Sequence, residues 1–320
     1  MPSSAAAAGP RAQRAQGRAA QLARSVRSAA RRATASARAL PDFLIIGAQK
    51  AGTTSLYAYL AAHPDVRPAG RKEVHYFDLG FTAGAELGEG WYRSMFPLSA
   101  RLALDGRRTG RPVRTGEASP YYLFHPAAPE RAAALVPEAR LLVLVRDPVE
   151  RAWSHYRHEV AAGREQLGFA AALDAEPERL AGADADLRRG IDSAAARSHR
   201  THSYVGRGRY AEQLRAWLEH YPREQLHVMV AEELFARPAP VWRAAVEFLG
   251  LAPAAPPPFE VHNPGGVAGD DGMDPACRAR LTETFAGSDA DLAELLGRSL
   301  PWLRERRAQD HPIDDIHPNG

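Results

Sequence analysis

Phe43-Leu-Ile-Ile-Gly-Ala-Gln-Lys-Ala-Gly-Thr-Thr-Ser55 is the stretch that decides how this 320-residue chain folds. Four apolar residues, Phe43 to Ile46, predict a short buried strand. Gly47 begins a turn of small residues, and Thr53-Thr54-Ser55 open a helix that continues through Leu56, Tyr57 and Leu60. Together these make a phosphate cradle. Glycines let backbone N–H groups approach an anion, the helix dipole favours negative charge, and Lys50 adds a point charge. The frame Gly47-x-x-x-x-Gly52 has the spacing of a nucleotide P-loop. Yet the lysine precedes the second glycine, and Thr53 stands where a P-loop NTPase has its Lys.

Outward from this stretch, apolar runs alternate with helical patterns. Val113–Glu117, Leu141–Val145 and Leu226–Val230 read as further strands, and Leu141–Val145 is a continuous run suited to burial on both faces. Helical periodicity covers 53–62, 128–136, 148–162, 208–220, 239–249 and 275–297. The alternation predicts an α/β chain, a P-loop-like three-layer fold with a central mostly parallel sheet flanked by helices. In such sheets the ligand lies beyond the carboxyl ends of the strands. The segment Gly80–Gly110 reads as a loop-rich insertion and 163–206 as a helical one.

Composition sets the outer limits. The net charge of +3 hides an asymmetry: residues 1–40 hold eight arginines and no acid, so subtracting +8 leaves −5 for 41–320. A mildly acidic body argues against a nucleic-acid partner. Residues 1–40 hold few large apolar side chains and are expected as a disordered basic tail. Residues 41–305 form the main domain and 306–320 a polar tail. Cys277 is the single cysteine, so no intrachain disulfide forms, in keeping with a cytoplasmic setting. No run of about 18 apolar residues exists to span a membrane. The twelve histidines show no metal-ligand spacing, and no metal is expected.

A second site follows the 141–145 strand. Arg146 falls at its carboxyl end, Asp147 suits a helix cap and Pro148 the first helical turn. Ser154 lies two turns along. Arg146 and Ser154 together can hold a phosphate, through a guanidinium fork and a hydroxyl.

Residues 43–55 resemble the 5′-phosphosulfate loop of the sulfotransferase superfamily, and 141–157 its 3′-phosphate motif. Arg207–Trp217, Tyr221–Val228, Glu232–Leu234, Phe248–Leu251 and Leu295–Trp302 resemble the downstream blocks of its heparan sulfate sulfotransferase branch. The resemblance implies 3′-phosphoadenosine 5′-phosphosulfate (PAPS) as sulfuryl donor and transfer without a metal ion. On that resemblance Lys50 and the backbone of Ala48, Gln49, Ala51, Gly52, Thr53, Thr54 and Ser55 hold the 5′-phosphosulfate. Arg146 and Ser154 hold the 3′-phosphate.

Arg71-Lys-Glu-Val-His-Tyr-Phe-Asp78 resembles the element whose glutamate is the base in the heparan-type enzymes. This places the base at Glu73, with His75 as second candidate and Lys72 beside donor or acceptor. Pairing of Glu73 with Lys72 or Arg71 is the structural alternative. Gly116–Tyr122 follows a strand and is expected to border the acceptor, with Glu117 and Ser119 touching it. Relatives often carry a lysine where this chain has Ala118, which weighs against a strongly anionic acceptor. The basic loop that relatives present to the nucleotide is acid-bearing here at 262–274, leaving Arg278 or Arg280 as the third contact. The expected reaction moves a sulfuryl group to a hydroxyl, or less readily an amine, of a glycan or small metabolite. A P-loop kinase or NTPase, and a non-catalytic anion- or glycan-binding protein, are the competing classes.

Overall fold

A computed structural model describes residues 25–82, 84, 87–255, 258 and 272–310. Five parallel strands form its centre: β1 (Phe43–Gly47), β2 (Val66–Pro68), β3 (Arg114–Ala118), β4 (Arg140–Val145) and β5 (Leu226–Val230), in the order β2-β3-β1-β4-β5. The unbroken apolar runs of β1 and β4 occupy the centre because both faces there are covered, and every residue of β1 is buried. Order reverses around β1. The chain runs out to β2, returns through β3 and then crosses to β4, which opens a crevice at the carboxyl ends of β1 and β4.

Helix α1 covers residues 25–33, and α2 (Thr53–Ala61) returns from β1 to pack on β2 and β3. After α3 (Glu89–Arg93) and α4 (Ser99–Thr109) come α5 (Ala128–Leu135) and α6 (Pro148–Ala161), which leaves β4. The insertion carries α7 (Phe169–Leu180), α8 (Ala183–Arg188) and α9 (Ala194–Thr201). Then follow α10 (Tyr210–Leu218), α11 (Ala231–Ala236), α12 (Pro238–Phe248), α13 (Pro275–Leu296) and α14 (Pro301–Asp310). Pro at the start of α5, α6, α12 and α13 suits a position with no intrahelical N–H partner.

Three sequence expectations shift here. The basic tail is not wholly without structure. Residues 25–33 are helical, the Arg31 guanidinium donates to the Ser94 carbonyl at 2.5 Å, and that of Arg38 donates to the Phe96 carbonyl at 2.7 Å. Gly80–Gly110 holds two helices, because Tyr92 and Phe96 bury themselves in an aromatic cluster in which Tyr92 stacks on Tyr76 at 4.4 Å. At the other end α14 extends to Asp310, and Arg306 is tied to Asp147 at 2.8 Å and Asp289 at 3.0 Å. Among the described residues no helix is long and apolar enough to cross a membrane.

The turn from β1 to α2 takes five residues, Ala48 to Gly52, and the glycines that frame it, Gly47 at the end of β1 and Gly52 before α2, are sterically required. A Cβ at Gly47 would lie 2.5 Å from that of Leu123. Gly52 has φ +97° and would push a Cβ to within 2.7 Å of the Phe235 ring. Gly52→Ala is therefore expected to lower the stability of the whole chain by about 1–3 kcal/mol, read from urea denaturation.

Candidate active site

A cleft of about 920 Å³ opens where the sheet order reverses. Its floor is the turn and first residues of α2: Gln49, Lys50, Ala51, Gly52, Thr53 and Thr54. The first N–H groups of a helix have no intrahelical acceptor, so this end of α2 presents donors to the cleft. The turn is fixed on both flanks. The Ala48 amide donates to the Leu144 carbonyl at 2.8 Å, and the Arg146 guanidinium donates to the Lys50 carbonyl at 3.3 Å. Arg207 donates to the Gln49 side-chain oxygen. Arg207 is itself buried, held by Ser203 at 2.9 Å and lying over the Tyr121 ring at 4.8 Å, and burial lowers its proton affinity to a pKa of about 10.

One wall is α6. Asp147 caps it by accepting from the Val149 amide at 2.9 Å. Glu150, Ser154 and His158 follow at four-residue intervals, with Trp153 and Arg157 beside them, so one helix face lines the cleft from end to end. The rest of the lining comes from three distant segments: Glu232 and Phe235 of α11, Arg278 of α13, and Trp302 and Glu305 of α14. Glu232 accepts from the Asp147 amide at 2.9 Å, which ties the walls together.

The wall carboxylates are mostly engaged: Glu150 pairs with Arg278 at 2.5 Å, and Asp147 pairs with Arg306. Lys50 and Arg146, in contrast, pair with no carboxylate among the described residues. Burial, and then the nearby charge of Arg146, lower the pKa of Lys50. Two positive groups left facing one cleft, with helix-end donors beneath them, make an anion site. Among the described residues, no three His, Cys, Asp or Glu side chains gather as a metal-binding group.

Glu73 lines the cleft from the loop after β2. Its carboxylate lies 2.6 Å from Lys72 Nζ and 3.4 Å from His75 Nε2, and His75 Nδ1 is 2.7 Å from Asp78. The hydrogen bond to His75 is the largest of the influences that hold the Glu73 pKa at about 2; burial opposes it, and Lys72 reinforces it. Burial alone would depress His75, but Asp78 and Glu73 outweigh it and raise its pKa to about 9.

Of the residues singled out from sequence, Gln49 to Thr54, Glu73, Arg146 and Ser154 meet in this cleft. Ala48 and Ser55 lie beneath it, buried, with the Ala48 amide committed to β4. Lys72 and His75 sit behind Glu73 as its ion partners and do not line the cleft. Glu117 and Ser119 do not border the acceptor side: both have zero exposure, and Ser119 donates to Glu117 at 2.7 Å. Of the two arginines held open as a third contact, Arg278 lines the cleft, and Arg280 pairs elsewhere with Asp174 at 2.7 Å. Residues 262–271 lie outside the described residues.

Sequence reasoning does not find His158, Arg157, Glu232, Phe235, Trp302 and Glu305 as cleft residues. A signal exists for His158, one helical turn beyond Ser154. Burial depresses the His158 pKa, with a further contribution from the Lys50 charge, and Glu73 acts on it in the opposite sense. For α11 and α14 there is no local signal.

The family profile described as a sulfotransferase domain matches residues 40–258. Heparan sulfate glucosamine 3-O-sulfotransferase 3B1 of Mus musculus is 33% identical over 217 residues, which cover 68% of this chain and 48% of that protein. Bifunctional heparan sulfate N-deacetylase/N-sulfotransferase 1 of Caenorhabditis elegans is 29% identical over 231 residues, 70% of this chain and 23% of that one. The chain thus spans less than a quarter of the length of one of these relatives and just under half of the other. The crystal structure of a sulfotransferase from Alicyclobacillus acidocaldarius superposes with a TM-score of 0.62 at 32% identity, covering 83% of this chain and 99% of that one.

The ion pairs of His75 carry a pH signature. Its raised pKa means that its contribution to stability is complete below about pH 6.5 and disappears as pH rises through about 9. His75→Asn should therefore cost at most about 3 kcal/mol at pH 6 and almost nothing at pH 10, relative to wild type in matched urea melts.

Proposed function

The chain belongs to the sulfotransferase domain family, and from that premise we propose that it transfers a sulfuryl group from PAPS to a hydroxyl, with an amine as the second acceptor class, of a glycan or small metabolite. The observation that carries this reading is the placement of the α2 turn with Lys50, the pair Arg146 and Ser154, and the carboxylate of Glu73 around one cleft. The cleft volume suits a nucleotide with an acceptor beside it.

When bound, the donor supplies an activated sulfuryl group on an adenosine nucleotide with 3′- and 5′-phosphates. The donor end of α2 and Lys50 would receive the phosphosulfate, and Arg146 with Ser154 the 3′-phosphate. Arg278, which lines the cleft and pairs with Glu150, is the third contact in this reading. Lys50 stabilises charge on the departing phosphate oxygen. A bond forms between sulfur and the acceptor oxygen as the bond between sulfur and that phosphate oxygen breaks, and the acceptor proton passes to Glu73. A carboxylate with a pKa of about 2 can accept it, because the acceptor oxygen loses basicity as its bond to sulfur forms. An acceptor hydroxyl that displaces Lys72 from Glu73 raises the basicity of that carboxylate further.

Radiolabelled PAPS screened against glycans, phenols, lipids and secondary metabolites should reveal label transfer. Glu73→Gln is expected to lower kcat by about 100-fold or more while leaving affinity for adenosine 3′,5′-bisphosphate within about twofold. Full turnover by that variant would remove Glu73 from the mechanism. In calorimetry, Arg146→Ala and Arg278→Ala should each weaken binding of adenosine 3′,5′-bisphosphate by about tenfold, and Arg280→Ala should leave it unchanged.

A further inference from the structure

Glu117 is a carboxylate with zero exposure, and no cation is bonded to it among the described residues. It accepts three hydroxyl hydrogen bonds: from Tyr92 at 2.8 Å and Tyr122 at 3.0 Å on Oε1, and from Ser119 at 2.7 Å on Oε2. Two of those hydroxyls have a second task. Ser119 Oγ accepts from the His75 amide at 3.1 Å, and Tyr122 OH accepts from the Tyr76 amide at 2.8 Å and the Phe77 amide at 3.4 Å. These three consecutive amides belong to the loop that carries Glu73. The same loop holds Glu73 at φ +56° and His75 at φ +57°, left-handed positions that a residue with a Cβ resists.

We propose that Glu117 is a positioning residue that locks the base loop by fixing the polarity of this hydrogen-bond network; the inference rests on the reading of Glu73 as the base. Burial raises the Glu117 pKa, and the hydroxyls of Ser119, Tyr92 and Tyr122 oppose that shift by donating to the ionised form; an ionised carboxylate can only accept, so each hydroxyl spends its proton on Glu117. The hydroxyl oxygens of Ser119 and Tyr122 then turn their lone pairs to the amides of residues 75–77. The loop is held in its left-handed conformation by acceptors that cannot reverse. A glutamine of the same shape would offer an NH₂ to one hydroxyl, and that arm would lose its direction. Isolating an acidic group away from any cation costs stability, and the return is geometry at Glu73.

Tyr92 and Tyr122 form a matched pair for the test. Each gives one hydroxyl to the same oxygen of Glu117, and both rings pack on the loop. Only the Tyr122 hydroxyl hydrogen-bonds its amides, whereas Tyr92 meets it through ring stacking on Tyr76 at 4.4 Å, which phenylalanine retains. Tyr92→Phe and Tyr122→Phe are compared in the full chain by amide hydrogen exchange over residues 73–78. They are also compared by calorimetry with adenosine 3′,5′-bisphosphate and by transfer from radiolabelled PAPS to the acceptor that the screen identifies. Tyr122→Phe should speed exchange at residues 76 and 77 about tenfold and lower kcat about tenfold, with nucleotide affinity unchanged. Tyr92→Phe should lower the melting temperature and leave both loop exchange and kcat near wild type. Glu117→Gln should follow Tyr122→Phe. Should Tyr122→Phe fail to fold, Ser119→Ala asks the same question of the His75 amide. Equal effects of the two tyrosine variants, or wild-type loop exchange in Glu117→Gln, would overturn the proposal. Absence of transfer by wild type would count against the sulfotransferase reading instead, and the exchange pattern would still decide the role of Glu117.

Discussion

Left-handed backbone at three side-chain-bearing residues is the constraint on which the cleft depends. Among the described residues, Lys50, Glu73 and His75 are the non-glycine positions with positive φ, at +70°, +56° and +57°. Each such residue costs on the order of 1 kcal/mol or more and persists only where its surroundings over-determine it. At Lys50 those surroundings are a five-residue strand-to-helix turn, pinned by Arg146 at the Lys50 carbonyl and by Arg207 at Gln49. At Glu73 and His75 they are the end of β3, where the Ala118 carbonyl accepts from the Glu73 amide at 3.0 Å, and the hydroxyls behind it. The strained positions coincide with the residues singled out for chemistry.

Charge in the cleft is sorted by pairing. Carboxylates on the walls outnumber the cations, which at first sight makes a poor home for an anion. Glu150 and Asp147 are neutralised by arginines from α13 and α14, and burial shifts Asp147 and Glu232 toward their neutral forms. Lys50 and Arg146, which pair with no carboxylate among the described residues, sit against the amino end of α2. The carboxylate of Glu73, pinned by Lys72 and His75, stays charged over the whole physiological range. The result is unpaired positive charge beside the amino end of α2 and a separate carboxylate held in its ionised form.

Much of this arrangement is legible in the amino-acid order. The run Phe43–Ile46 and the frame from Gly47 to Gly52 announce a strand, a turn and a helix start, because each depends on neighbours only a few residues away. The same holds for Leu141–Val145 with Arg146, and for Ser154 two turns along α6. Glu117 and Ser119 depart from expectation for a physical reason. Polar residues at the end of a strand look like ligand groups until their burial is known, and burial here is set by Tyr92 and Tyr122, contributed from α3 and from the turn after β3. Residues 25–33 and α14 depart from it because their sequences are polar. Their order comes from Arg31, Arg38 and Arg306 reaching carbonyls and carboxylates far along the chain.

The elements and the local chemistry thus follow from the sequence alone: a parallel α/β sheet, a glycine-framed strand-to-helix turn, an arginine at a strand end and a glutamate on a loop. Such features arise from backbone propensity, glycine placement and hydrophobic period, all short-range. Which groups face one another is settled only in three dimensions. The wall made by Phe235, Arg278 and Trp302, the engagement of Arg278 rather than Arg280, and the retreat of Glu117 into a hydroxyl network join residues tens to hundreds of positions apart. Those contacts are fixed by how helices pack around the sheet, a long-range outcome that no local pattern encodes.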